Sequence, residues 1–144
     1  MKVRIKKLHP DAIIPTYATE GAACFDLHSI DSGVVLPGIT HTPTLRTGLA
    51  IQVPEDYVML AFSRSGHGFK NGIRLANCTG IIDSDYRGEI MVRLQNDDGH
   101  QFEIKVGDRI AQAMIIPVSQ VSFEVVEELS ETKRGDGGFG STGK

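Results

Sequence analysis

The C-terminal stretch of residues 134–144 carries the residue types of a site for an anion with a flat ring. Its five glycines surround the aromatic ring of Phe139, the guanidinium of Arg134 and the hydroxyls of Ser141 and Thr142. Arginine can hold a phosphate through paired hydrogen bonds, and an aromatic ring can stack on a base. Because ordering glycine-rich backbone is costly, we expect this arm to stay mobile until a ligand holds it. A frayed terminus that binds nothing is the competing interpretation.

Residues 80–90 combine two apolar runs with a polar turn that contains Asp83, Asp85 and Tyr86. This pattern predicts a β-hairpin. The open edge of a hairpin presents alternating N–H and C=O groups, and a pyrimidine ring has a matching alternation of donors and acceptors. The segment is therefore suited to binding a pyrimidine base. An ordinary solvated turn explains the same residues, since Asp and Gly are favoured in any tight turn.

Three shorter segments place polar groups beside apolar strands. Asp26 lies in the otherwise apolar run 22–27, where an unpaired carboxylate is costly, so it is expected to pair structurally or to face a cation. Residues 63–66, Ser-Arg-Ser-Gly, precede a short predicted helix, whose amide groups attract phosphate. Arg109 and Gln112 stand at i and i+3 of another apolar strand, where they line one end of a sheet or where Arg109 forms an edge salt bridge.

Period-two alternation of apolar residues predicts the strands that must position these groups. The alternation occurs at Val3/Ile5, at Ile90/Val92/Leu94, at Phe102/Ile104/Val106 and at Val121/Phe123/Val125. Gly and Pro separate these runs. Only one or two helical turns are expected, after Ser65 and toward Ile73 and Leu75. The predicted fold class is therefore all-β, a sandwich or barrel with at most one short helix.

Length, charge and cysteine content narrow the class of protein further. A chain of 144 residues with no internal linker predicts one domain. A net charge of −3 argues against sequence-independent nucleic-acid binding, and no signal or membrane-spanning run is found, so a soluble, cytoplasmic protein is expected. Cys24 and Cys78 are expected to be small buried residues. The five histidines lack metal-binding spacing, which argues against a metal cage made of protein alone.

Five segments together resemble the five motifs of the trimeric deoxyuridine triphosphatases, the dUTPases. They are residues 22–27, 63–66, 80–89 with Asn77 just before, 109–112 and 134–143, in the order and at the separations of that family. The third and fifth motifs, IDSDYRGE and RGDGGFGSTG, are the most specific. The likeness covers essentially the whole chain.

Three positions depart from the family pattern. Cys24-Phe25 stands where a glycine commonly precedes the Asp, His67-Gly-Phe-Lys70 replaces the usual Leu-Ala, and the loop 96–101 is slightly long. The first two departures affect the expected geometry around the phosphates and the metal. None of them removes a group that the chemistry needs.

The resemblance implies a distorted jelly-roll or β-barrel of the dUTPase type in residues 1–130, followed by a flexible arm in residues 131–144 that closes over the active site. It also implies a homotrimer with three shared sites. Each site takes the predicted hairpin from one subunit, the first, second and fourth motifs from a neighbour, and the arm from the third. The implied activity is hydrolysis of dUTP to dUMP and pyrophosphate, with no nucleic-acid or membrane partner.

The resemblance further implies a role for each site residue. Asp83 is the catalytic residue, which positions and deprotonates the water that attacks the α-phosphorus. The cofactor is Mg²⁺, held mainly by phosphates and water, with Asp26 reaching it through that water. The substrate-binding residues are Asn77, Thr79, Gly80, Ile81, Ile82 and Met91 for the uracil edge, Tyr86 for the deoxyribose, Arg64, Ser65, Gly66 and Gln112 for the α and β phosphates, Arg134, Ser141 and Thr142 for the γ-phosphate, and Phe139, between Gly138 and Gly140, as the cover of the uracil.

Two other functions are open at the level of sequence. A dCTP deaminase of the same fold has a similar hairpin, but it needs a glutamate on the returning strand, where this chain has Arg93, and it lacks the aromatic glycine-rich arm. A non-catalytic jelly-roll trimer would bind nucleotide without turnover. The presence of Asp83, Asp26 and the complete arm argues against such a module, because binding alone gains little from a carboxylate that activates water.

Overall fold

The computed structural model describes residues 1–38, 42 and 44–141, and within them it contains eleven β-strands and one α-helix. The strands are β1 Arg4–Lys7, β2 Phe25–His28, β3 Gly33–Val35, β4 Thr44–Arg46, β5 Leu49–Gln52, β6 Tyr57–Phe62, β7 Ile73–Leu75, β8 Thr79–Ile82, β9 Met91–Asn96, β10 Phe102–Ile104 and β11 Arg109–Pro117; the helix is α1, Ser65–Asn71.

The strands pair into four antiparallel sheets, and within the described residues these sheets do not close into a barrel. The largest sheet has the order β2-β11-β6-β8, and a second has the order β4-β9-β7. Two smaller sheets are the pairs β1-β5 and β10-β3. This mostly-β arrangement with one short helix is of the jelly-roll type, as the sequence predicted. Its open form corrects the barrel alternative.

The core is built from the alternation that the sequence displays. In β2 the side chains of Phe25 and Leu27 are buried while Asp26 and His28 point to the other face. In β9 the buried residues are Val92, Leu94 and Asn96. Buried aliphatic residues from seven further strands complete the interior, among them Val35, Leu45, Ile51, Met59, Ile73, Ile104 and Ile110. Each such side chain contributes about 1.5–3 kcal/mol by leaving water, which holds the sheets together and fixes the polar face of β2.

The short helix forms where the sequence predicted one or two turns. Arg64 precedes it in extended conformation, and Gly72 ends it with φ of +60°, a left-handed conformation that glycine adopts without strain. The N–H of Gly72 donates to the carbonyl of Gly68 over 3.2 Å. The helix therefore stops before Ile73, and the stretch toward Leu75 is strand β7 rather than more helix.

Two strand predictions are wrong. The runs on either side of the turn at 83–90 do form β8 and β9, but these strands pair with β6 and with β4 and β7, not with each other, so no paired hairpin exists. Val121, Phe123 and Val125 alternate as expected, yet residues 118–126 form no strand, and these three side chains are 69%, 93% and 99% exposed. A strand needs a hydrogen-bonding neighbour, and within the described part of one chain none adjoins this segment.

The cysteine prediction is half wrong. Cys24 is partly buried, but Cys78 is exposed and has a φ of +62°. This left-handed conformation belongs to a tight turn between β7 and β8, in which the N–H of Cys78 donates to the Leu75 carbonyl over 3.2 Å. The requirement of the turn therefore outweighs the tendency of a cysteine to be buried.

Candidate active site

A cavity of ≈ 560 Å³ opens where β8 and β9 separate. Because the two strands join different sheets, a gap remains between them, and the turn at 83–90 bridges its end. Seven of the residues predicted to bind substrate or to act on it line this cavity: Asn77, Gly80, Ile81, Ile82, Asp83, Tyr86 and Met91. Exposed apolar side chains on its wall, those of Ile81, Tyr86 and Met91, give it the character of a site for a flat ring.

Strand β8 offers the cavity a free backbone edge. It pairs with β6 on one side, and within the described chain no strand pairs with its other side. Neighbouring side chains pack closely around Gly80, since a Cβ there would come within 3.2 Å of the Ala61 Cβ and 3.7 Å of the Asn77 Nδ2. A glycine thus leaves the space that a ligand needs beside Asn77, and the outward N–H and C=O groups of β8 supply donors and acceptors.

Among the hydrogen bonds of the turn at 83–90, three fix Tyr86 and Glu89 in place. The N–H of Tyr86 donates to the Asp83 carbonyl over 3.2 Å, and its hydroxyl donates to the Glu89 carbonyl over 3.0 Å. The carboxylate of Glu89 in turn accepts the Gly48 N–H over 2.8 Å. Asp83 itself is exposed at the start of this turn. Its carboxylate is therefore free to meet water and ligand, while Tyr86 is fixed in place.

A second group of predicted residues gathers around Asp26. Its Oδ1 accepts the Nε–H of Arg64 over 2.8 Å, and its Oδ2 accepts Nη1–H of Arg109 over 3.3 Å. The side chains of Asp26 and Arg64 are only 16% and 19% exposed, so this ion pair is shielded from water. Asp26 is therefore paired with two guanidinium groups, and Arg109 forms a salt bridge from the start of β11.

Gln112 is linked to this cluster by a hydrogen bond to Ser63, the residue before Arg64. Its Nε2 donates to the Ser63 carbonyl over 3.0 Å, while the Ser63 hydroxyl oxygen accepts the Leu75 N–H over 2.8 Å. These bonds tie β11, β7 and the approach to α1 together. Ser65 and Gly66 follow as exposed residues of the first helical turn. The second and fourth motifs therefore converge on one face with Asp26.

Burial shifts the pKa values of two titratable groups beside Asp26, those of His28 and Cys24. Desolvation lowers the pKa of His28, and the charges of Arg109 and Arg64 lower it further while the Asp26 charge opposes them. Within the described residues its Nδ1 is buried and has no hydrogen-bond partner. Burial likewise raises the pKa of the Cys24 thiol, with Asp26 adding to the effect. Both groups are consequently held neutral beside the charged cluster near pH 7.

The described part of the arm, residues 131–141, does not join either group of residues. Arg134 Nε donates to the Gly137 carbonyl over 2.9 Å, which forms a local turn, and Phe139 is fully exposed. None of the residues that line the cavity comes from the described part of the arm. Gly138, Gly140 and Ser141 lie in the same exposed stretch, and Thr142 lies outside the described residues.

The predicted site residues thus fall into three separate groups within one chain: those of the cavity, those around Asp26 and those of the arm. Thr79 belongs to β8 but is not among the residues that line the cavity. Eight further lining residues were not predicted as site residues, namely Thr44, Ala61, Leu75, Ala76, Glu89, Ile90, Val92 and Arg93. The alternation of β9 carried a signal for Arg93, because it lies two positions after Met91 on the same face.

The described residues contain no group of three His, Cys, Asp or Glu side chains that could hold a metal ion. They also contain no helix with the length and apolar character needed to cross a membrane.

Comparisons with known proteins agree over nearly the whole chain. A sequence model of the dUTPase family matches residues 10–143. The deoxyuridine 5'-triphosphate nucleotidohydrolase of Nautilia profundicola is 53% identical over 144 residues, covering 100% of both chains. That of Helicobacter pylori is 42% identical and covers 99% of this chain and 97% of its own.

Solved structures show the same likeness. A mutant dUTPase of Staphylococcus bacteriophage 80alpha, determined with dUpNHpp, has a TM-score of 0.90 and 28% identity, covering 99% of each chain. A mutant dUTPase from phage phi11 of S. aureus, whose structure describes the coordination of a structural Mg(II) ion, has a TM-score of 0.80 and 25% identity, covering 89% of this chain and 98% of that one. From its five motifs, its fold and these matches, the chain belongs to the dUTPase family.

Proposed function

We propose that this protein is a dUTP diphosphatase, which hydrolyses dUTP to dUMP and pyrophosphate. The observation that carries the proposal is the cavity in which the free edge of β8, the ring of Tyr86 and the carboxylate of Asp83 meet. The relatives named as deoxyuridine 5'-triphosphate nucleotidohydrolases, at 53% and 42% identity over the full chain, support the same activity. The reaction limits uracil incorporation into DNA and supplies dUMP for thymidylate synthesis.

Base selection is assigned to the wall formed by Asn77 and β8. Uracil presents an acceptor, a donor and an acceptor along its edge, and the backbone of residues 79–83 with the Asn77 amide offers the complementary groups. Cytosine reverses two of these positions, and a site built on such pairing rejects the wrong edge by about 10⁴–10⁵. Met91 lies across the same cavity, and Tyr86 closes it on the side of the sugar, where it excludes a 2′-hydroxyl.

The chemical step is assigned to Asp83. Its carboxylate orients a water molecule and accepts a proton from it as the water oxygen bonds to the α-phosphorus. The bond from that phosphorus to the bridging oxygen breaks, and pyrophosphate leaves. A carboxylate is a weak base, so alignment and charge neutralisation supply most of the acceleration. The exposed position of Asp83 at the start of its turn supports this role.

Phosphate binding is assigned to two regions. Arg64, Ser65, Gly66 and Gln112 hold the α and β phosphates, and Arg134, Ser141 and Thr142 hold the γ-phosphate, while Phe139 covers the uracil. The two guanidinium groups drawn together by Asp26 support the first assignment, because they concentrate positive charge on one face.

Mg²⁺ is the proposed cofactor, and the donors present fit an ion bound mainly to substrate. Mg²⁺ retains its waters and seldom occupies a cage of protein ligands alone. Asp26 would hold the ion through water, since each of its oxygens keeps a lone pair beyond those used by Arg64 and Arg109. When bound, the ion neutralises charge on the phosphates.

The proposed assembly is a homotrimer with shared sites. Within the described residues, neither the cluster around Asp26 nor the arm lines the cavity, which supports a site completed by several subunits. The exposed alternation of Val121, Phe123 and Val125 supports the idea that this segment pairs with another subunit. In this view residues 1–130 form the jelly-roll domain and residues 131–144 form the arm that closes over a neighbouring site. We assign the enzyme to the cytoplasm.

One assay tests the activity. The purified protein with Mg²⁺ is given dUTP or dCTP, and both pyrophosphate and ammonia are measured. We expect pyrophosphate from dUTP, no ammonia from dCTP and at least about 10³-fold preference for dUTP. Ammonia from dCTP would instead identify the deaminase, which Arg93 in the cavity argues against. Binding of dUTP without pyrophosphate release would identify the non-catalytic module.

A further inference from the structure

His67 departs from the family pattern, and in the structure its side chain makes a specific contact. Its Nε2 lies 2.8 Å from the carbonyl oxygen of Arg109, so it joins α1 to the first residue of β11. The ring is half-buried and meets Phe102 edge to face, with centroids 5.1 Å apart and an interplanar angle of 71°. The leucine that is usual at this position in the family has no donor for that carbonyl.

This contact completes a closed chain of hydrogen bonds that links Asp26, Arg64, His67 and Arg109. The Arg109 guanidinium donates to Asp26, and Asp26 accepts from the Arg64 guanidinium. The Arg64 carbonyl accepts the backbone N–H groups of His67 and Gly68 over 3.1 and 2.9 Å. The imidazole of His67 then returns to the Arg109 carbonyl. Each guanidinium is therefore held through both its side chain and its backbone.

We propose that His67 is a positioning residue for the triphosphate, which fixes Arg64 and Arg109 relative to each other through the Arg109 carbonyl. The inference rests on the proposed function, since it assumes that the Arg64 guanidinium, which shares Asp26 with Arg109, meets phosphate oxygens. A carbonyl only accepts, so Nε2 carries the hydrogen. Both the neutral Nε2–H tautomer and the imidazolium meet this requirement, so the contact needs no change of protonation.

The effect is expected on phosphate binding and not on the nucleoside. The base and sugar are assigned to the cavity of β8, Tyr86 and Met91, and His67 is not among the residues that line it. Loss of a residue that only stabilises the fold would weaken the binding of all ligands alike or of none of them. Loss of a residue that positions Arg64 and Arg109 would weaken the binding of dUpNHpp and leave the binding of deoxyuridine unchanged. The comparison of the two ligands therefore separates positioning from general stability.

The test compares wild type with His67→Leu and His67→Gln, and uses His100→Ala as the control because the His100 side chain is 93% exposed. Calorimetry with Mg²⁺ measures the affinity for dUpNHpp and for deoxyuridine, and dUTP turnover gives kcat and KM. For His67→Leu we expect about tenfold weaker dUpNHpp binding and a similar rise in KM, since a lost hydrogen bond of this kind is worth about 0.5–1.5 kcal/mol, or up to about tenfold. Deoxyuridine affinity should stay within about twofold of wild type.

His67→Gln keeps a side-chain N–H donor and should recover at least part of the lost affinity. The inference is overturned if His67→Leu binds dUpNHpp as wild type does, if deoxyuridine binding falls in parallel, or if His67→Gln is no better than His67→Leu. Failure of wild type to release pyrophosphate from dUTP would instead overturn the proposed function. The two failures are therefore distinguishable.

Discussion

The ring of Tyr86 lies directly over the backbone of Gly88. A Cβ on residue 88 would stand 2.4 Å from the Tyr86 hydroxyl oxygen and 2.6 Å from its Cζ, closer than any real Cβ contact. The same hydroxyl donates to the Glu89 carbonyl over 3.0 Å. The absence of a side chain at residue 88 is therefore what allows Tyr86 to form one wall of the cavity.

The first prediction is that Gly88→Ala relaxes the choice between deoxyribose and ribose. The added methyl group must push the Tyr86 ring aside, and such overpacking typically costs about 1–3 kcal/mol. We expect kcat/KM for dUTP to fall about tenfold or more, while the value for UTP falls less or rises. Steady-state kinetics with both nucleotides measures the ratio.

Gly99→Ala is the matched control, because a Cβ there meets nothing within 4 Å. It should leave the ratio of dUTP to UTP turnover unchanged. An unchanged ratio in Gly88→Ala would mean that Tyr86 does not select the sugar.

The second prediction concerns Asp83 and its neighbour in the turn. Asp83→Asn keeps the shape of the side chain but removes the proton acceptor, and a positioned general base contributes about 10²–10⁴-fold. We expect kcat for dUTP to fall by at least about 10²-fold, while dUpNHpp affinity stays within a few-fold of wild type. Asp85→Asn is the control, since Asp85 does not line the cavity. Near wild-type turnover by Asp83→Asn would exclude it as the base.

The third prediction separates folding from activity by removing the arm. Residues 131–141 form no strand or helix, and all of them except the partly buried Gly137 are exposed, so their removal takes no packed side chain from the core. A chain that ends at Ser130 should therefore unfold within about 2 °C of wild type, since a shift of that size corresponds to well under 1 kcal/mol in a domain of this length. Its kcat/KM for dUTP should fall by at least about 10²-fold.

Phe139→Ala in the full chain tests how much of that loss comes from the single aromatic ring. Stacking on a base is worth about 1–3 kcal/mol, so this variant should lose about 5- to 150-fold in kcat/KM. A truncated chain with full activity would show that the arm has no part in the site.

Much of the fold was predictable because alternation directly reports which face of a strand is buried. In β9 it located Val92 and Leu94 in the core, while the apolar run 22–27 left Asp26 as a carboxylate in need of a partner. The identity of that partner was not predictable, because Arg64 and Arg109 come from distant parts of the chain. Their meeting depends on the pairing of β2 with β11, which local sequence does not encode.

The failures have a similar physical origin. The runs of β8 and β9 look like the arms of a hairpin, but each finds a better partner elsewhere, and their separation creates the cavity. Val121, Phe123 and Val125 have the alternation of a strand, but in the described part of the chain no strand pairs with this segment. Alternation predicts the tendency to pair, whereas long-range contacts decide which strands pair.

The last prediction concerns the pH dependence of stability and follows from Asp31. Its carboxylate accepts the Arg46 Nη2–H over 2.7 Å and the Arg46 backbone N–H over 2.8 Å. The side-chain hydrogen bond from Arg46 lowers the pKa of Asp31 below its ordinary value of 3.8, although burial opposes the shift. Because the folded pKa is the lower one, the ionised carboxylate stabilises the fold above the ordinary value. That stabilisation is lost as pH falls through the folded pKa.

We therefore expect Asp31→Asn to lower the urea midpoint at neutral pH, with the difference from wild type shrinking as the pH is brought below 3.8, the ordinary pKa of this carboxyl. Urea unfolding at a series of pH values measures this difference. Asp11→Asn is the control, since the Asp11 side chain is 64% exposed and lies 3.8 Å from His9. A difference between Asp31→Asn and wild type that stays constant down to acid pH would show that the charge of Asp31 does not act through Arg46, because only an ionised carboxylate gains from the guanidinium.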